Sequence, residues 1–404
     1  MQHLKTAFQN LWSESPYQDR SAEPEISAPP SFYLEPPSSD ENPCHTCTRL
    51  DFPTILQHGI AARDALPLGT LHSILTNTGS CTFCRLVIAA IEKSWRVATA
   101  TVSSPESIEC SLYCFRVRED TTRSCRRLGV IAEPRPQEVL SRQLDSAEST
   151  SNAIQLLADD VPVGRGRGHY GRLVPKGKVS VGLVKEWMEI CGEYHGEQCE
   201  RERERSAKKI PEFLRVIDVV ENRIQGVVVG ADVPLRYMAL SYVWGGVQNV
   251  SMYQTTQGNV GKRLEVGGLE GVEFPQTIKD AMQLVAELGE RYLWVDAVCI
   301  IQDDDEDKIA QIQAMDVVYG ASMLTIVAAG GGDARAGLPR SSGSPVDLVQ
   351  HIETVRGLRL MLPLYKLEET ILTTTWSTRG WTYQERLLPS RRLYFTPEQV
   401  YFEC

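Results

Sequence analysis

The residues best suited to chemistry fall into two groups. Cys44-x-x-Cys47 and Cys81-x-x-Cys84 are paired dithiols, and Cys191, His195 and Cys199 recur at i, i+4 and i+8. The CxxC spacing lets both sulfurs of a pair reach one zinc ion, and the second spacing puts its three side chains on one helix face. Two readings stay open: the sulfurs, with His195, form a structural zinc site that pins the upstream region together, or they are small core residues on amphipathic helices. The second group is acidic and aromatic. Asp296 lies in an apolar run, and Glu385 follows Trp381 by four residues with Arg379 just before it. Such residues suit a reaction that builds positive charge on a sugar, as cleavage of a glycosidic bond does. A single carboxylate facing the developing cation supplies electrostatic stabilisation, Trp381, Trp376 or Tyr383 offers a face to a flat ring, and Arg379 or Arg386 meets a pyrophosphate. The competing reading is a packing anchor in which Glu385 favours a helix start and pairs with Arg391 or Arg392.

These residues need elements to hold them. The stretch 81–95 (CTFCRLVIAAIEKSW) has apolar residues at helical intervals, 108–117 and 127–132 read as short strands, and 181–199 resumes helical periodicity. The segment 213–229 reads as a β-hairpin feeding a buried strand over 238–245. In 275–289, Ile278, Ala281, Met282, Val285 and Leu288 share one face and Gly289 stands at a helix C-cap. The runs 292–301 and 322–330 have the length and character of buried strands, and 305–320 is helical. Asp303, Asp304 and Asp305 do not point at one centre on any regular element, so they cap that helix rather than bind a metal. Cys299, inside an apolar run, reads as a structural thiol. Alternating strands and helices predict an α/β fold: a parallel sheet flanked by helices in the C-terminal half, with a Cys-rich α+β region upstream. The expected organisation is a disordered Pro/Ser/Glu-rich arm over 1–43, the Cys-rich region over 44–200 with a polar loop near 141–172, and a C-terminal domain over 211–404.

A formal charge of -10 over 404 residues excludes a basic field, and with it a default reading of nucleic-acid or anionic-membrane binding. The N-terminus lacks a signal-peptide core and nowhere are there 18 consecutive apolar residues, which predicts a cytoplasmic protein without a membrane span. Eleven cysteines, an odd number, then read as free thiols or metal ligands. No GxSxG elbow supports a serine hydrolase.

Three blocks, YMALSYVWGG (237–246), LWVDAVCIIQD (293–303) and RGWTYQE (379–385), occur in an order and spacing that resemble the fungal heterokaryon-incompatibility (HET) domain. Ile301 stands where many members have Asn. The upstream Trp187, Cys191, His195 and Cys199 are similar to a pattern many HET proteins carry. The resemblance implies an effector of fungal non-self recognition that triggers programmed cell death, with self-association or another incompatibility protein as the partner. A more distant resemblance is to TIR domains, which are flavodoxin-like: Ser241-Tyr242 ends an early strand, Asp296 lies on a later one, and Trp381-x-x-x-Glu385 opens a late helix. That resemblance implies NAD as substrate, NAD nucleosidase activity with Glu385 catalytic, and Ser241, Trp244, Asp296, Arg379 and Trp381 as binding residues. A non-catalytic self-associating signalling module is the alternative.

Overall fold

The computed structural model describes residues 43–96, 98–120, 123–136, 153–157, 171, 173–174, 177–226, 235–245, 252–341 and 350–404. The expected N-terminal arm and most of the polar loop lie outside them, as does Gly246 of the first block. The chain forms two compact units, one of 1–171 with 352–362 and the other of 172–351 with 363–404.

In the first unit the expected strands form one antiparallel hairpin, Glu109–Asp120 with Arg123–Glu133, joined by Leu66–Thr70. The helix Thr82–Trp95 buries Phe83, Leu86, Val87 and Ile91 in a core shared with Leu112 and Leu128. A second small sheet pairs Leu358–Met361 with Ile352–Val355 on one side and with Gln155–Leu156 on the other. Arg85 clamps Glu353 with two hydrogen bonds of 2.6 and 2.9 Å. Segment 352–362, which sequence places in the C-terminal domain, thus belongs to the first unit. The helix Val181–Ala207, which sequence groups with the Cys-rich region, belongs to the second.

The second unit is built on a seven-stranded sheet. Its strands are β1 (Arg215–Asp218), β2 (Arg223–Gly226), β3 (Met238–Ser241), β4 (Tyr292–Trp294), β5 (Leu324–Ala328), β6 (Arg392–Phe395) and β7 (Val400–Glu403), in the spatial order β7-β6-β5-β3-β4-β1-β2. The four central strands β6, β5, β3 and β4 are parallel. The expected hairpin is β1 and β2, and it adds antiparallel to the β4 edge, while β7 adds antiparallel to β6. The sheet is therefore mixed, not wholly parallel, because its outer strands are joined by tight hairpins that need no crossover. Met238, Leu240, Leu324, Ile326 and Leu393 on one face, and Ala239, Thr325, Val327 and Tyr394 on the other, are buried, as strands covered on both faces require.

Helix α2 (Gln276–Leu288) buries Ile278, Ala281, Leu284, Val285 and Leu288, and Gly289 closes it at φ 82°. The apolar run 292–301 is not one strand. After β4 the chain turns at Val295 into the short helix α3 (Asp296–Cys299). The expected helix over 305–320 breaks at Ala314 into α4 (Asp305–Gln313) and α5 (Met315–Ala321), and the Asp304 side chain caps α4 by accepting from Asp307 N–H at 3.1 Å.

Candidate functional site

The central strands set the location. In chain order they run β3, β4, β5, β6, yet β4 lies on one side of β3 and β5 on the other. The connections leave β3 in opposite directions there, which opens a crevice at the carboxyl end of β3, where doubly wound sheets place ligands. Ser241 ends β3 and Tyr242, Trp244 and Gly245 follow it, Asp296 follows β4, and Asp333 and Arg335 follow β5. The helix α6 (Thr382–Leu387) adds Glu385.

Two polar clusters result. In the first, Ser241 Oγ donates to Glu385 Oε2 at 2.5 Å and accepts from Trp376 Nε1 at 2.6 Å. Arg379 donates to Glu385 Oε1 at 3.0 Å and Oε2 at 3.3 Å. Glu385 is 1% exposed, whereas the Arg379 side chain retains 22%. The expected partners are engaged elsewhere: Arg391 with Glu200 at 2.7 Å and Arg392 with Glu403 at 2.9 Å. In the second cluster, Asp296 Oδ2 accepts from Trp244 Nε1 at 2.8 Å and Oδ1 from Ala297 N–H at 2.7 Å.

Burial, and then the charge of Glu385, push the Asp296 carboxyl up to about 6, against the opposing hydrogen bonds and the Arg379 charge. The clusters are thus electrostatically coupled. Buried Tyr319, whose hydroxyl lies 3.4 Å from Leu240 O, is raised by burial and by the charges of Glu385 and Asp296. Tyr242 and Tyr253 are also raised by burial and by Asp296, and neither hydroxyl has a well-formed hydrogen bond. Sequence reasoning missed Tyr253 and Tyr319, because nothing in the pattern of either marks it as facing a carboxylate.

Trp244, Gly245, Tyr253, Glu273, Asp333 and Arg335 line an open cleft of about 130 Å³. Gly245 is required there. Its φ is 90°, and a Cβ would come within 2.8 Å of Asp333 Cβ. The proposed ring-stacking residues do not converge on it: Trp381 and Tyr383 are 47% and 64% exposed, and Trp376 is buried against Ser241 and Tyr394.

The raised Asp296 carboxyl gives a stability prediction. Because the folded state holds its proton more tightly than the unfolded chain does, the contribution is full below about pH 4 and is lost as pH rises through about 6. Asp296→Asn keeps an acceptor for Trp244 and removes the charge. It is expected to stabilise the protein at pH 7.5 by on the order of 1 kcal/mol, less than the full shift because the site is partly open to solvent, and to flatten the decline between pH 4 and 6. Urea unfolding across that range is the check.

The cysteines form two separate groups. Cys44, Cys47, Cys81 and Cys84 bring all four sulfurs within 4.8 Å of one another. Cys44 and Cys47 lie 3.8 and 3.9 Å from Cys84, close to the roughly 3.8 Å edge of a sulfur tetrahedron around zinc at about 2.3 Å. All four are free thiols. Cys44 and Cys81 are helix N-cap residues, and Cys47 and Cys84 lie in the first turns. This donor set suits a structural zinc ion. The second group is Cys191, His195 and Cys404; Cys199 lies outside it.

An α/β domain with its polar cluster at the sheet's switch point is the class this unit defines. Residues 237–385 match the family described as heterokaryon incompatibility protein (HET), so this segment of the chain carries a HET domain. No curated protein and no solved structure matches the chain. Among the described residues, no helix is long and apolar enough to cross a membrane.

Proposed function

We propose that this chain is an effector of heterokaryon incompatibility whose HET domain hydrolyses NAD or a related nucleotide, and that the loss of NAD triggers programmed cell death. The observation that carries this reading is the convergence of all three HET blocks on two coupled carboxylates, Asp296 and Glu385, at the crevice where such sheets bind ligands. Glu385 is the carboxylate that faces the ribose cation. The C1′–N bond breaks, nicotinamide leaves with the electron pair and becomes neutral, and a water oxygen bonds C1′. Asp296, raised toward neutrality, accepts the proton of that water. Ser241 and Arg379 hold Glu385 in place, and Trp244 orients Asp296.

The cleft is below the roughly 300–1,000 Å³ of ordinary ligand sites, and Arg379 covers Glu385. The structure is therefore read as a resting state, opened when Arg379 leaves Glu385 for a pyrophosphate. Self-association or a second incompatibility protein supplies the trigger. A non-catalytic signalling module is the second reading, favoured by one observation: every HET-block partner of Glu385 is satisfied and the carboxylate is shut from solvent. Cellular NAD after induction in a fungal host separates the two. Depletion by the wild type and sparing by Glu385→Ala at matched protein levels is expected, whereas death at steady NAD favours the signalling module.

A further inference from the structure

Helix α1 (Val181–Ala207) carries Cys191 and His195 one turn apart, so both side chains leave the same face. Strand β7 delivers Cys404 to that face from the far end of the sheet. The three donor atoms lie within 4.8 Å of one another, and His195 Nδ1 is 3.2 Å from Cys404 Sγ. A tetrahedral zinc ion with Zn–S of about 2.3 Å and Zn–N of about 2.0 Å separates such a pair by roughly 3.5 Å. Cys191 is buried, while His195 and Cys404 are exposed.

A second, independent observation shows that the Cys191 sulfur is held in place by a buried donor. Arg391, 3% exposed, donates from Nε to Cys191 Sγ at 3.0 Å and from Nη1 to Glu200 at 2.7 Å. A buried guanidinium hydrogen-bonded to a sulfur fixes the direction of that sulfur, as second-shell donors do at metal centres. Cys199, one turn further along the same face, is buried near Cys191 but outside the donor group.

We infer that Cys191, His195 and Cys404 form a second metal site, a Cys2His centre for zinc with three protein ligands and one position open to solvent. Two thiolates neutralise the zinc charge, and the soft donors select zinc over magnesium or calcium. The ion cross-links α1 to β7, and its open position accepts water or a small thiol or carboxylate ligand. It differs from the four-cysteine centre, which is closed and mostly buried.

The test is zinc content of the purified full chain by mass spectrometry after dialysis against a weak chelator. About two equivalents are expected for the wild type and about one for His195→Ala and for Cys404→Ser. Both substitutions are at exposed positions, so each variant should remain folded, and circular dichroism verifies this. Cobalt loading should show a tetrahedral visible band whose intensity drops by roughly half in either variant. Equal metal content in wild type and variants overturns the assignment. So does an intact mass showing a Cys191–Cys404 disulfide in place of the second ion.

Discussion

Cys47→Ser is expected to remove about one equivalent of zinc and to unfold the first unit. Cys47 is 3% exposed and holds the short helix His45–Thr48 against the start of Thr82–Trp95. Without the ion, the buried sulfurs face one another with no compensating charge. Structural zinc contributes about 10 kcal/mol or more in small domains that have little else. This unit has its own core around Phe52, Leu71, Phe83 and Leu86, so a loss of about 5 kcal/mol is expected, still comparable with the whole stability of a domain. A strong chelator should reproduce the effect. Hydrogen exchange by peptide checks it: protection over 81–95 collapses while protection in β3 and β5 persists.

The second large effect concerns Glu385. Glu385→Gln keeps the shape and an acceptor for Ser241 but loses the charge, so nicotinamide release is expected to fall at least about 100-fold, with stability lowered by only about 1 kcal/mol. Glu385→Ala also leaves Ser241 and Arg379 without their acceptor. It is expected to cost about 3 kcal/mol, which is why the two variants must be compared at matched folded protein. A variant that loses stability but not turnover assigns Glu385 to packing.

Much of this site was legible in the sequence because its chemistry sits in contiguous blocks. Ser241, Asp296 and Glu385 are recognisable from neighbours within a few residues, and the CxxC pairs announce themselves. What links the blocks is not local. Ser241 meets Glu385 across 144 positions, and His195 meets Cys404 across 209, so Cys404 carries no signal in the sequence, while Cys199, in helical register, lies outside the donor group. The packing reading pairs Glu385 with Arg391 or Arg392, near in sequence; the turn before α6 brings Arg379 instead. The run 292–301 illustrates a second limit. A continuous apolar stretch has no periodicity to separate strand from helix, and its last residues fold as α3 because Asp296 turns to Trp244. The hairpin over 352–362 was misplaced because its pairing with Gln155–Leu156 spans just over half the chain.

The most direct measurement is nicotinamide release from NAD by the purified full chain, followed by chromatography, with Glu385→Gln as the control. Hydrolysis by the wild type, lost in the variant while its fold and its zinc are retained, is the predicted result. No release from protein that still kills cells on induction, or equal release from both proteins, contradicts the assignment of Glu385 as the catalytic carboxylate.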